Sequence, residues 1–322
     1  MSELLVEPIE QYGLSKKVRT QSLFSKIGIV GCGFVGRNLA RLVSSSGMEV
    51  IFVEVSEEKI AMALREIERE LDRQIEHWGM TPGDKRIIMS RIHGTLKYED
   101  LQGCDLVIEA ILSKSSELTI EIRKGVFKNI ERHVDPNCII ATNSTTTIIT
   151  ELASELEHKH RCVSLHILTT AKDARVVEVV KGLYTSEEVY QAACKFVKLI
   201  GKTVVPVEES PGLVSIRIFS VMFNEACEML MEGVARKEDI DLVMRDGLGL
   251  AYGPFEMADR AGLDKVERWM ENLYKEFGDM RYKPSPLLKK MVRANQLGTK
   301  TRKGFYEYDE SGRKITQTIV GE

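Results

Sequence analysis

Lys26-Ile-Gly-Ile-Val-Gly31-Cys32-Gly33-Phe34-Val35-Gly36 opens the stretch whose reading decides the fold, and Val50-Ile-Phe-Val53-Glu54 closes it. A short β-branched run feeds a glycine turn, a segment with helical apolar spacing follows, and a second apolar run ends in a carboxylate. Gly31 allows a tight turn out of a strand. Gly33 has no Cβ, so a pyrophosphate can approach the backbone at a helix N-terminus, where unpaired N–H groups and the helix dipole favour an anion. Phe34 and Val35 open that helix, and Gly36 lets it pack close to the sheet. Glu54 can accept both hydroxyls of an adenosine ribose and would repel a 2′-phosphate. Strand, turn, helix and terminal acid together predict a dinucleotide site that prefers NAD to NADP; flavin binding shares the pattern.

Outward from this stretch, bulk properties exclude several classes. The chain has 322 residues, enough for two domains, with 43% hydrophobic and 29% charged residues and a formal net charge of −3. No block of Lys or Arg offers a nucleic-acid surface. The cysteines at 32, 104, 138, 162, 194 and 227 form no CxxC pair, which argues against a metal site or a disulfide framework and for the reducing cytoplasm. No apolar run is long enough to span a bilayer. Residues 1–25 lack a signal-peptide core, and Glu3, Glu7 and Glu10 oppose a transit peptide, so they are expected to form an N-terminal arm.

Downstream, Ser56 can cap a long amphipathic helix carrying Ile60, Leu64, Ile67 and Leu71, and Thr81-Pro-Gly-Asp84 marks a break. Strands are expected near Leu96, at Asp105–Ile108 running into Glu109-Ala110, at Cys138–Thr142, at Arg161–Leu165 running into His166, at Arg175–Val180 and at Lys202–Val207. Thr185-Ser-Glu-Glu188 reads as a capping box for a helix to about Ile200. Strands alternating with helices predict an α/β, Rossmann-type doubly wound sheet over 26–209. Beyond Glu208-Glu-Ser-Pro-Gly212 the extended runs stop, and Met-rich helical periodicity predicts an all-helical domain over 210–322. Met222, Met229, Met231 and Met244 suit helix packing or a dimer core.

With these blocks in order, the chain resembles the short-chain L-3-hydroxyacyl-CoA dehydrogenases from Lys26 to Tyr308. The resemblance rests on the glycine turn, Asp105-Leu-Val-Ile-Glu-Ala110, Ala141-Thr-Asn-Ser-Thr145, His166 with Glu178, Ser210-Pro-Gly212, Gly253-Pro-Phe-Glu256, Gly262-Leu-Asp264 and Lys303-Gly-Phe-Tyr306. It implies a nicotinamide domain, a helical domain that dimerises, an acyl-CoA substrate between them, and His166 and Glu178 as the acid/base pair. The residues agree: His166 closes a strand at the sheet edge where such folds bind ligands, and a carboxylate in the neighbouring strand can orient the imidazole. The resemblance assigns Glu109, Ala110, Arg123, Asn143 and Lys300 to the cofactor and gives Thr145 the place of the family's active-site serine.

The chain also departs from the family pattern. His166-Ile-Leu-Thr-Thr170 stands where the family has His-Phe-Phe-Asn-Pro, and Ile216 stands where it has an asparagine. Ser113 replaces a glutamate beside an insertion of about five residues, Lys114 to Leu118, and Glu70 and His77 fall on CoA-binding positions. The expected activity is NAD-dependent interconversion of a 3-hydroxyacyl-CoA, of 3-hydroxybutyryl-CoA type, with its 3-oxo form. The alternatives are a different 3-hydroxy acid, since Ile216, Thr169, Thr170, Lys172 and Asp173 reshape the pocket, and a non-catalytic NAD-binding relative. Retention of the His–Glu pair argues against the last.

Overall fold

The computed structural model describes residues 24–76, 79–111, 119–168 and 174–315. One sheet contains eight strands: β1 (Lys26–Val30), β2 (Glu49–Val53), β3 (Ile92–Thr95), β4 (Leu106–Glu109), β5 (Ile139–Thr142), β6 (Cys162–Ile167), β7 (Val176–Lys181) and β8 (Thr203–Glu208). Their order is β3-β2-β1-β4-β5-β6-β7-β8. All pairs are parallel except β6 with β7, so the last two strands run against the rest.

Six helices belong to this half: α1 (Phe34–Ser45), α2 (Glu57–Glu76), α3 (Pro82–Met89), α4 (Thr119–His133), α5 (Ile149–Ala153) and α6 (Glu187–Leu199). Alternate strand residues feed two separate cores, as a sheet covered on both faces requires. Ile27, Ile29, Leu106 and Ile108 pack with Leu39 and Val43 of α1 and Phe196 of α6. Val30, Val53 and Val107 pack with Phe127 and Ile130 of α4 and Leu152 of α5.

Two local expectations change. Thr81-Pro-Gly-Asp84 is a helix start: Thr81 Oγ1 accepts from the Asp84 N–H and the Asp84 carboxylate accepts from the Thr81 N–H, so α3 is capped reciprocally. The cap of α6 is Ser186, one residue later than expected, with its side chain accepting from the Val189 N–H. Thr185 is drawn away because its hydroxyl donates to the Cys162 carbonyl at 2.6 Å and accepts from the Gly182 N–H. Outside the described residues lie residues 1–23 of the N-terminal arm, His77, Ser113 to Leu118, and Thr169, Thr170, Lys172 and Asp173.

The second half is helical: α7 (Ser215–Glu232), α8 (Lys237–Leu242), α9 (Pro254–Ala261), α10 (Leu263–Phe277) and α11 (Pro286–Arg293). Its core is aromatic, with Phe223, Phe255 and Phe305 meeting at ring-centroid distances of 4.5 to 6.2 Å. Asp259 is fully buried and fastens the C-terminal segment, accepting from the Phe305 and Tyr306 N–H groups and the Tyr308 hydroxyl. Burial outweighs these donors and pushes its carboxyl up to about 6.

Between the halves, two successive residues take left-handed backbone: Gly212 at φ 82° and Leu213 at φ 50°. A Cβ at position 212 would stand 2.6 Å from Leu273 Cδ2, so glycine is required there by space as well as by φ. Leu213 carries a cost of about 1–2 kcal/mol for this conformation, and hydrogen bonds on either side of it offset that cost. The Gly212 N–H donates to the Thr145 carbonyl at 2.7 Å, and the N–H groups of Val214 and Ser215 reach Glu178.

Candidate active site

Antiparallel pairing of β6 with β7 sets His166 directly opposite Glu178 in register. The imidazole Nδ1 lies 2.6 Å from Glu178 Oε2. Glu178 Oε1 accepts from the N–H groups of Val214 and Ser215, each at 3.0 Å, and the Ser215 hydroxyl donates to Oε2 at 2.8 Å. The carboxylate thus sits on the N-terminus of α7, where the dipole and unpaired donors favour negative charge. Burial acts to raise its pKa, but hydrogen bonds from His166 and Ser215 outweigh that and hold the carboxyl below the ordinary value of 4.5. An ionised Glu178 accepts a hydrogen bond from Nδ1–H, which leaves Nε2 as the ring nitrogen available to a ligand.

His166 lines a cavity of about 490 Å³ between the halves. The sheet side contributes Gly33, Phe34, Val35, Ala110, Ile111, Arg123, Asn143, Thr145 and His166; the helical side contributes Ser215, Ile216 and Phe219 of α7 and Lys265, Arg268, Trp269 and Asn272 of α10, with Lys300 beyond them. Asn143 Oδ1 accepts from the Ile167 N–H at 2.9 Å, tying the loop after β5 to the end of β6. Asn272 Nδ2 donates to Thr146 Oγ1 at 2.9 Å, which brings α10 against the loop that carries Thr145.

The glycine turn has the form a dinucleotide needs. Gly31 has φ 91°, and a Cβ there would stand 2.9 Å from Ile111 Cα. A Cβ at Gly36 would stand 2.1 Å from the Gly31 carbonyl oxygen, so the helix can approach the turn only with glycine at 36. Gly33 has no atom within 4 Å of its Cβ position, and as N-cap of α1 it leaves the first-turn donors without a side-chain cap or an acidic residue. Open space and unpaired donors at a helix N-terminus fit a pyrophosphate.

Two domain descriptions match the chain: "3-hydroxyacyl-CoA dehydrogenase, NAD binding domain" over residues 26–210 and the C-terminal domain of the same enzyme over residues 212–308. The chain belongs to the 3-hydroxyacyl-CoA dehydrogenase family. A 3-hydroxybutyryl-CoA dehydrogenase of Clostridioides difficile is 36% identical over 88% of this chain and 100% of that protein. The crystal structure of (S)-3-hydroxybutyryl-CoA dehydrogenase PaaH1 from Ralstonia eutropha superposes with a TM-score of 0.79 at 35% identity, covering 89% of this chain and all of that one. FadB2 of M. tuberculosis reaches a TM-score of 0.84 at 28% identity, over 89% and 99% of the two chains.

In this 3-hydroxyacyl-CoA dehydrogenase family member, the expected site residues divide into three groups. Gly33, Phe34, Val35, Ala110, Arg123, Asn143, Thr145, His166 and Lys300 line the cavity. Gly31 and Gly36 shape the turn behind its wall. Glu54 stands behind the turn as well, its Oε1 accepting from the Cys32 N–H at 2.7 Å and its Oε2 from the Val55 N–H, with further lone pairs free.

Glu109 is wholly buried at the end of β4, bonded to Arg123, Thr142 Oγ1 and the Ile111 N–H. It orients Arg123 and does not itself face the cavity. Glu70 forms an exposed pair with Arg73 at 2.8 Å.

Ser215, Lys265, Arg268 and Trp269 were missed by sequence reasoning. A hydroxyl three residues after Pro-Gly at the start of a long helix was the available signal for Ser215. For α10, the signal was the spacing 265, 268, 272, which is one helical face. Cysteine chemistry is absent from the site: burial pushes the Cys32 thiol up to about 12, with Glu54 adding to the effect. Among the described residues no cluster of His, Cys, Asp and Glu can hold a metal ion, and no helix is long and apolar enough to cross a membrane.

Proposed function

We propose that this protein is an NAD-dependent dehydrogenase that interconverts a short 3-hydroxyacyl-CoA, of 3-hydroxybutyryl-CoA type, with the 3-oxoacyl-CoA. One observation carries the reading: an imidazole held by a charged carboxylate faces the same cavity as the uncapped helix N-terminus of the glycine turn. The names of the relatives support the substrate class. Bound NAD supplies the hydride acceptor for oxidation at C3 and, when reduced, the donor for the reverse reaction.

His166 Nε2 removes the proton from the 3-hydroxyl and returns it in the reductive direction. Glu178 fixes the tautomer and stabilises the imidazolium, and Ser215 with the first turn of α7 fixes Glu178. Thr145 presents a hydroxyl to the substrate oxygen. The first turn of α1 would hold the pyrophosphate, Glu54 the adenosine ribose, and Arg123, Asn143 and Lys300 the nicotinamide side. Oxidation of NADH by the purified protein with acetoacetyl-CoA tests the reading; no turnover with that thioester and no turnover with other 3-oxoacyl-CoA thioesters would refute it.

The proposed organisation is an arm over 1–25, an NAD-binding domain over 26–209 and a helical domain over 210–322. Val214, Ile218 and Val221 lie 50%, 64% and 38% exposed on one face of α7, which supports a homodimer through the helical domain. A monomer by sedimentation at micromolar concentration would exclude it. Six free cysteines support a cytoplasmic location.

A further inference from the structure

We propose that the acyl chain accepted by this site ends in a carboxylate, and that Lys265, with Arg268 beside it, receives that carboxylate. The inference rests on the acyl-CoA part of the reading above and departs from its 3-hydroxybutyryl type, whose chain ends in a methyl group.

Lys265 and Arg268 lie one helical turn apart on α10 and both line the cavity. Around them the charges do not balance. Asp264 is the nearest carboxylate, and it is already engaged: Oδ1 lies 2.5 Å from Lys300 Nζ, and Oδ2 lies 3.8 Å from the Arg268 guanidinium. Lys265 has no ion pair and no hydrogen-bond partner among the described residues. Its Nζ stands 4.8 Å from the centre of the Trp269 ring, which offers a cation–π contact and no counter-charge. On the same cavity Arg123 is matched by Glu109 and Arg260 by Glu256, while Arg37, on α1 at the sheet side, has no ion pair among the described residues. One carboxylate among three cations therefore leaves a surplus of positive charge at this end, beside the N-terminus of α10.

Three large apolar side chains of the helical wall, Ile216, Phe219 and Trp269, line the same cavity as the dyad and this charge. Ile216 follows Ser215, whose hydroxyl lies 3.5 Å from His166 Nδ1. Phe219 is one turn further along α7 and meets Trp269 edge-on at 6.4 Å between centroids, and Trp269 in turn underlies Lys265. An aliphatic chain leaving the carbon that reacts at His166 can run past Ile216, Phe219 and Trp269 and bring an anionic end to Lys265. A chain ending in a methyl group would leave an unpaired ammonium in a largely desolvated place, which is costly. Desolvation, with Arg268 and Lys300 adding to it against Asp264, pushes the Lys265 ammonium down to about 8. An arriving carboxylate favours the charged form, so its hold weakens as pH rises above that value.

The test compares two thioesters of equal chain length, 3-oxoadipyl-CoA with a terminal carboxylate and 3-oxohexanoyl-CoA with a terminal methyl. A charge-assisted hydrogen bond in a partly buried site should make the wild type favour the first about tenfold or more in kcat/KM, mainly through KM. Lys265→Met should bring the ratio close to one, and Lys265→Arg should restore part of it. The wild-type preference should shrink as pH is raised past about 8, and the Met variant should show no such trend. Turnover of both thioesters without preference in the wild type, or an unchanged ratio in Lys265→Met, overturns the proposal and leaves the acyl-CoA reading standing. Because both thioesters carry the same CoA, a role of Lys265 toward CoA phosphate would leave the ratio unchanged. Loss of NADH affinity in Lys265→Met with the ratio intact would assign the cation to the cofactor. Turnover of neither thioester overturns the proposal; the acyl-CoA reading falls with it only if acetoacetyl-CoA is not turned over either.

Discussion

The two walls of the cavity are made in different ways. On the sheet side, position comes from backbone: glycines that no other residue could replace, strand ends in fixed register, and carboxylates whose oxygens are already bonded, as Glu109 and Glu178 are. On the helical side, position comes from side chains projecting from α7 and α10, and charge is left over there. The contrast teaches that the reaction and the choice of substrate are separable. A register of hydrogen bonds tolerates little change, whereas a residue on a helix face can be exchanged without moving its neighbours. Lys265 is such a residue.

If the sheet side carries the chemistry, its loss should produce the largest effect. His166→Ala is expected to lower kcat by roughly 10²–10⁴, the usual contribution of general acid–base catalysis. NADH affinity by calorimetry should change little, because the turn that receives the pyrophosphate lies on β1 and α1. Near-normal turnover in this variant would place the chemistry elsewhere and dissolve the contrast.

Cofactor choice is a smaller effect on the same wall. With Glu54 at the end of β2 and no Lys or Arg in Val55-Ser-Glu-Glu58, NADH is expected to bind at least tenfold tighter than NADPH, on the order of 1.4 kcal/mol. Equal dissociation constants would mean that Glu54 serves only the Cys32 and Val55 N–H groups.

The finest effects belong to Glu178. Glu178→Gln removes the charge that orients the imidazole, so kcat should fall while NADH affinity by calorimetry stays close to that of the wild type; unchanged kcat would contradict the pairing. The pH effect is one of stability. Because the Glu178 carboxyl is held below 4.5, its charge adds stability that is present above that value and lost as pH falls through the folded-state pKa. Urea titrations between neutral and acidic pH should therefore show a shallower loss in Glu178→Gln than in the wild type.

Much of this was legible in the chain alone. The glycine turn, the buried strands and the change of periodicity near residue 210 are local signals, because turn chemistry and hydrophobic spacing act over a few residues. His166 and Glu178 could be singled out by residue type and context. Local reading failed where two options competed for one side chain. Thr185 looked like a cap until the Cys162 carbonyl claimed its hydroxyl, and the break at Thr81-Pro-Gly-Asp84 lies where expected but is also the reciprocal cap of α3.

The sequence by itself determined the class of fold and the dinucleotide turn, since each depends on neighbours in the chain, and it singled out His166 and Glu178 as candidates. Only the tertiary structure decided that β7 turns antiparallel and puts Glu178 opposite His166, that α7 begins on that carboxylate, and that Glu109 is spent on Arg123. It alone also brought Lys265 to the cavity without an ion-pair partner among the described residues. These depend on contacts between residues tens of positions apart, where register, burial and pairing of charge are settled by packing and leave no periodic trace in the sequence.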